Sequence, residues 1–316
     1  MTSFDVSSVG FYVLDVLGRP VSAIPEGGRA AYIEQIAMTV AGTAGATAVD
    51  CAILGLKTRA VTTVGTDDMG DFMVGKLVGH GIDCAMVSRD GSVQTSATIL
   101  PVRPNGERPA LHVPGTAATF MLADEDIDAA IDADIVHVGG TGLLKGFDGA
   151  PTLKLMQRAK QAGRITTFDL IQATPETAAL VMPLLPHIDY FVPSIEEAEQ
   201  MSGRSDPAEV AAFFKERGVR NCILTLGSKG VYVSPESGAA FSLPAYDIAV
   251  SDTTGCGDTF TAGVIVGINK GWDLEQTCRF ASAVAAQVAM GLGSVGKLTS
   301  FNTTLKLMAE LQVKAA

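Results

Sequence analysis

The chain has little of what would place it outside a reducing, aqueous compartment. Its five cysteines (Cys51, Cys84, Cys222, Cys256 and Cys278) are odd in number, widely spaced and form no Cys-x-x-Cys pair. That argues against a disulfide framework and against a structural zinc site. No apolar run reaches the length of a membrane span, and Asp50 interrupts the alanine-rich stretch that comes closest. The opening residues, Met-Thr-Ser-Phe-Asp-Val, carry no basic region of the kind that starts a signal peptide. Basic residues are scarce, with 23 Lys and Arg against 34 Asp and Glu and a formal net charge of −11. A nucleic-acid or anionic-membrane surface, which needs a basic stripe, is therefore not expected. An anionic nucleotide remains open as a ligand, because such sites use backbone amides and one or two local cations. With 47% hydrophobic and 18% charged residues in 316, the chain reads as a globular cytoplasmic protein with a substantial core.

What is present alternates. Short β-branched runs recur at 61–64, 135–138, 165–168, 190–192 and 222–226, and helical patterns lie at about 44–56, 70–79, 150–162, 176–185 and 207–217. Buried strands separated by helices predict an α/β fold with a mostly parallel sheet covered on both faces, its ligands beyond the carboxyl ends of the strands. Two stretches, about 16–41 and 95–113, read instead as antiparallel ribbons, the second turning at Pro104-Asn105-Gly106. They are expected to form a small second sheet, either decorative or a lid. No repeat or linker divides the chain, so residues 1–316 are expected to form a single domain.

The ten residues Ser251 to Phe260 (Ser-Asp-Thr-Thr-Gly-Cys-Gly-Asp-Thr-Phe) follow a strand-like stretch (Tyr246, Ile248, Val250) and open an apolar helix. A glycine-relaxed turn at a helix N-terminus lets the N–H groups of Gly255, Cys256 and Gly257 converge on an anion. Asp258 beside them is expected to be ionised and able to take a proton from a nucleophile. A capped turn with an N-terminal aspartate is the plainer alternative. Cys256, among free amides, is expected to have a lowered pKa and heightened reactivity.

The same residues resemble the C-terminal signature of the ribokinase-like (PfkB) carbohydrate and nucleoside kinases, Asp-Thr-x-Gly-Ala-Gly-Asp-x-Phe, with Cys256 in the alanine place. The resemblance implies a three-layer α/β/α sandwich with a β-sheet lid, ATP with Mg²⁺, and Asp258 as the base acting on an alcohol. It extends along the chain. Asp15 falls where the family grips two sugar hydroxyls, and Gly42-Thr43-Ala44-Gly45-Ala46-Thr47 resembles a sugar-binding turn, with Thr47 in the place of an asparagine. The turn from Gly65 to Gly70 resembles a family scaffold segment, read here as an aspartate-capped helix entry. Ser194-Ile195-Glu196-Glu197 resembles the family's Asn-x-x-Glu, which implies that Glu197 acts through water on magnesium; Ser-x-x-Glu is equally a capping box.

Thr225-Leu226-Gly227-Ser228-Lys229-Gly230 resembles the turn beside the ATP phosphates, with Lys229 or the Thr225 hydroxyl meeting phosphate oxygens. The base would lie on the helix that carries Ser282 and Ala286. Asp252 matches a position that helps hold K⁺ in many members, with carbonyls near 291–294 as partners.

Arg103 and Arg108 flank the lid turn, where either would reach an anionic substituent or stay solvated, and His112 and His137 are expected to be packed structurally. The resemblance implies an ATP-dependent kinase acting on a hydroxymethyl group of a sugar, a homodimer paired through the lid, and no nucleic-acid or membrane partner. Val13 and Gly139/Gly140 stand where ribokinases carry polar ribose contacts, which disfavours ribose itself. An apolar wall at Phe11, Tyr12 and Val13 would suit a nucleoside, the alternative substrate. A nucleotide-binding regulator without catalysis is the further alternative, although Asp258 and its glycines are intact.

Overall fold

The computed structural model describes residues 2–314. Nine strands form one sheet in the order β13-β12-β11-β10-β9-β8-β1-β4-β5. They are β1 (Phe4–Gly10), β4 (Thr58–Gly65), β5 (Asp83–Asp90), β8 (Ala133–Thr141), β9 (Ile165–Leu170), β10 (Tyr190–Phe191), β11 (Asn221–Thr225), β12 (Val231–Ser234) and β13 (Phe241–Leu243). Pairing is parallel from β5 to β11, and the β11–β12 and β12–β13 pairings are antiparallel, so β12 alone runs against the rest of this sheet.

Helices cover both faces because the strands are apolar on both. In β8, Ile135 packs with one cluster and Val136 and Val138 with the other. One layer holds α3 (Ile127–Ala130), α4 (Ala150–Gln161), α5 (Pro175–Val181), α6 (Ile195–Ser202) and α7 (Pro207–Lys215), which bury residues such as Leu155, Val181 and Phe214. The opposite layer holds α1 (Gly45–Ile53), α2 (Asp68–Gly79), α8 (Cys256–Asn269), α9 (Leu274–Ala289) and α10 (Phe301–Glu310), packed through residues such as Met73, Ile265 and Phe280. The architecture is the expected three-layer α/β/α sandwich. Among the described residues, no helix is long and apolar enough to cross a membrane.

The lid is a separate four-stranded sheet ordered β3-β2-β6-β7. Its strands are β2 (Val13–Arg19), β3 (Gln35–Ala41), β6 (Ala97–Pro101) and β7 (Leu111–Val113). The two expected ribbons are both antiparallel, and a parallel β2–β6 pairing joins them. Residues 20–34, expected within a ribbon, lie outside the sheet.

One departure from expectation concerns Tyr246, Ile248 and Val250. They form no strand, and only an isolated bridge ties Tyr246 to Val313. The segment instead faces α9 across a cavity, where its side chains find apolar partners without a ladder.

The lid is pinned to the main sheet at one carboxylate. Asp67 caps α2 by accepting from Gly70 N at 2.9 Å, and accepts from Thr95 N at 2.9 Å and Thr95 Oγ1 at 2.5 Å. Asp67→Ala strips three donors of their acceptor. It is expected to cost about 1–3 kcal/mol in denaturant unfolding. Hydrogen exchange should rise first around Thr95; uniform exchange across the chain would exclude the pin.

Candidate active site

The first turn of α8 stands at the junction of two cavities. A cavity of about 280 Å³ lies over α9, and one of about 580 Å³ lies under the lid. Thr253, Cys256 and Gly257 line both, so the anion turn is their shared wall. Gly255 makes this possible: it takes φ +75°, and a Cβ there would stand 2.8 Å from Ser294 Cα. Among the described residues, the N–H groups of Gly255 and Gly257 find no acceptor, whereas Cys256 N makes a long 3.3 Å contact to the Thr253 carbonyl. Gly255 and Gly257 are thus the freer donors of the expected three.

Asp258 lines only the larger cavity, which it touches while protein encloses the rest of it. Burial first, then the charges of Asp15 and Glu197, push its pKa up to about 7, against a smaller opposing pull from Arg108. The expected fully ionised aspartate is thereby corrected to one poised near neutrality. Asp15, nearly buried on β2, is pushed up to about 6 by burial, tempered by Thr98 and Arg108. Asp15, Gly42, Thr43 and Arg108 all line the larger cavity. Arg108 reaches the anion turn by donating from Nη1 to Thr253 Oγ1. Arg103 turns away and donates to the carbonyls of Val21 at 3.2 Å and Ser22 at 2.6 Å.

Thr47 is not in the cavity. It is fully buried behind it, donating Oγ1 to the Thr43 carbonyl at 2.7 Å with the Asp258 carbonyl at 3.2 Å. Of the expected apolar wall, Phe11 and Val13 face the cavity. Tyr12 turns into the core on the alternation of the chain and donates to the Ser8 carbonyl at 3.0 Å. His137 is packed as expected, between Thr167 Oγ1 at 3.0 Å and the Thr43 carbonyl at 3.1 Å. His112 is not packed in the core. It lines the cavity edge-on to Phe11 with ring centroids 5.9 Å apart, its Nδ1 3.1 Å from Thr98 Oγ1. Its place beside Thr98 follows from the β6–β7 register, which no local pattern reveals.

The smaller cavity is lined by Thr225, Gly227 and Gly230 on one side. Ser282, Ala285, Ala286 and Ala289 supply the other side, at the spacing of one α9 face. Lys229 is exposed outside it, because the short turn 227–229 carries its side chain to solvent. Lys314 lines it instead.

Glu197 forms the full capping box with Ser194, its Oε2 accepting from Ser194 N at 2.9 Å and Ser194 Oγ at 2.8 Å. Asp169, at the end of β9, was not anticipated. It is fully enclosed, accepts from Thr261 Oγ1 at 3.1 Å, and is pushed well up by burial and then by Asp258 and Glu197. Asp252 is buried with both oxygens occupied, by Thr254 N at 2.9 Å and Thr254 Oγ1 at 2.7 Å on one and Gly293 N at 2.9 Å on the other. It clasps two loops.

Comparison with known proteins agrees with this geometry. The pfkB family carbohydrate kinase profile matches residues 5–298. Fructoselysine 6-kinase of Escherichia coli (strain K12) is 30% identical over 241 residues, covering 76% of this chain and 85% of that one. The structure of Arabidopsis thaliana ribokinase complexed with ribose and ATP superposes with a TM-score of 0.80 at 23% identity, covering 98% of this chain and 99% of that one. The nucleoside kinase of Methanocaldococcus jannaschii superposes with a TM-score of 0.78 at 21% identity, covering 98% and 99%.

Cys256 reverses its expectation. Burial pushes its thiol up to about 12, outweighing the pull of Arg108, and Sγ packs 3.9 Å from the Ala285 carbonyl. The helix N-terminus does not offset the loss of water. Alkylation at neutral pH is therefore expected to label Cys256 more slowly than a free thiol in the unfolded chain, read by mass spectrometry. Labelling of Cys256 in the native protein as fast as in the unfolded chain would contradict the raised pKa.

Proposed function

The chain belongs to the pfkB family of carbohydrate kinases, and we propose that it transfers a phosphoryl group from ATP to a hydroxymethyl group of a sugar. Kinases of this family phosphorylate sugars with ATP. The observation that carries the reading is the shared wall: one row of N–H groups borders a slot fit for a nucleotide and a cavity fit for a sugar, where Asp15, Thr98, Arg108 and Asp258 stand among apolar side chains.

The flat face of Ser282, Ala285 and Ala286 receives the base, and the Thr225–Gly230 turn receives the phosphates. Asp15 accepts hydrogen bonds from vicinal hydroxyls in fixed geometry. Asp258 draws the proton from the attacking hydroxyl, and the amides of Gly255, Gly257 and Cys256 bear the charge that grows on the transferring group. Arg108 adds the one arginine that the larger cavity lines up with the turn.

A magnesium ion suits this edge of the sheet. After burial, the charges of Asp258 and Glu197 raise the pKa of Asp169, and those of Asp15 and Glu197 raise the pKa of Asp258, which marks uncompensated negative charge. Among the described residues, no three acidic, His or Cys side chains could hold a metal by themselves. Glu197, whose Oε2 alone is engaged with Ser194, would hold Mg²⁺ through water. When bound, the ion supplies charge neutralisation on the phosphates. A nucleoside is the second reading, favoured by the Phe11–His112 edge of the cavity, which offers a base a stacking surface.

ADP release measured across sugars, sugar phosphates and nucleosides tests the reading. Asp258→Asn is expected to lower kcat by about 10²–10⁴-fold with little change in KM for ATP. The base works ionised and its pKa lies at about 7. The rate should therefore rise as pH increases through neutrality and fall as pH drops below it. No turnover on any class, with wild type and Asp258→Asn binding ATP alike, would favour a silent regulator.

The homodimer proposal rests on the lid's solvent face. Register aligns Met38, Val16, Ile99 and Leu111 in one row across all four strands. Ile99 is 56% and Leu111 61% exposed. A contiguous apolar face on a sheet with open edges fits a second copy of itself. Ile99→Glu with Leu111→Glu is expected to convert a dimer into a folded monomer in sedimentation. A wild-type protein that sediments as a monomer would refute the pairing.

A further inference from the structure

Behind the anion turn, α1 supports α8 through a polar row. Thr47, Asp50 and Cys51 stand at i, i+3 and i+4 and so share one face of α1. Opposite Asp50 stands Thr259, and both are 0% exposed. Thr259 Oγ1 lies 2.7 Å from Asp50 Oδ2 and 2.7 Å from the Gly255 carbonyl oxygen. Asp50 Oδ1 has no hydrogen-bond partner.

A proton count decides what these contacts are. A threonine hydroxyl has one hydrogen, which cannot lie along two separate 2.7 Å directions. The Gly255 carbonyl has no proton to offer. Both contacts are hydrogen bonds only if the carboxyl group of Asp50 brings the second one. An ionised Asp50 would also leave Oδ1 charged, buried and without a donor, which proteins rarely sustain. The titratable groups that bear on it give no relief: the neighbouring Cys51 thiol is itself pushed up by burial, and Asp258 is an acid.

We propose that Asp50 is held as a neutral carboxylic acid that donates to Thr259, which donates in turn to the Gly255 carbonyl, and that this relay positions the anion turn. Burial, and then the charge of Asp258, push the Asp50 carboxyl well above the ordinary carboxylate range, which agrees with the proton count. Gly255 O also accepts from Thr259 N at 2.8 Å. Holding that carbonyl fixes the plane of the peptide joining Gly255 to Cys256, in the middle of the row of N–H groups. Asp50 is thus a positioning residue that touches no substrate. Its kinetic consequence rests on the phosphoryl-transfer reading above; its protonation state does not.

Two measurements test the two halves. In an infrared difference spectrum of wild type minus Asp50→Asn at neutral pH, one protonated-carboxyl C=O stretch is expected. A carboxylate band in its place overturns the proposal, whether or not the chain turns over any substrate. In kinetics, the asparagine keeps a donor to Thr259 and is expected to hold kcat within about threefold, while Thr259→Val lowers it by about tenfold and Thr259→Ser restores it. The acid limb of the pH profile should not move in Asp50→Asn, because no charge is removed. A shift of that limb to lower pH, or a Thr259→Val enzyme equal to wild type, would refute the relay.

Discussion

Everything in this site depends on the first turn of α8 opening its N–H groups to two cavities at once. That turn exists because Gly255 adopts a left-handed conformation against Ser294, where any side chain would collide. The turn is then held from three sides. Asp252 ties it to the loop at Gly293, Arg108 reaches it from the lid, and α1 supports it from behind through Thr47 and Asp50. The two cavities thus open onto opposite surfaces of one turn.

The second theme is acidic crowding in an apolar shell. Beyond the effect of burial, Asp15 and Glu197 raise the pKa of Asp258, and Asp258 and Glu197 raise that of Asp169. In water such a group would repel itself apart. Here the sheet and α8 hold the carboxylates in place, and the cost is met by hydrogen bonds from Thr261 and Ser194 and by the nearby Arg108. The consequence for the proposed chemistry is a base near neutrality and a place where a divalent cation is welcome. The same burial explains Cys256, whose thiol loses more from desolvation than it gains from Arg108.

The lid shows how one small sheet serves two purposes. Alternation puts Val13, Asp15, Thr98 and His112 toward the cavity. The same alternation puts Met38, Ile99 and Leu111 toward solvent, with Val16 in the same row packed partly against the core. A strand period of two makes these roles inseparable, since a slip of one residue would exchange them.

Much of this was legible in the chain itself. Alternating apolar runs announced the layered sheet, and the stretch from Ser251 to Phe260 announced a glycine-relaxed turn at a helix start, because both are local patterns of glycine, hydroxyl and periodicity. The capping box of Ser194 and Glu197 was legible for the same reason. Tertiary structure alone decided what depends on contacts far along the chain: that Tyr12 turns inward while Phe11 and Val13 face the cavity, that Lys229 points away while Lys314 lines the slot, and that His112 meets Phe11. It also decided protonation. Whether Asp258, Cys256 or Asp50 carries its proton is set by the water each has lost and the charges around it, and neither quantity is written in residue order.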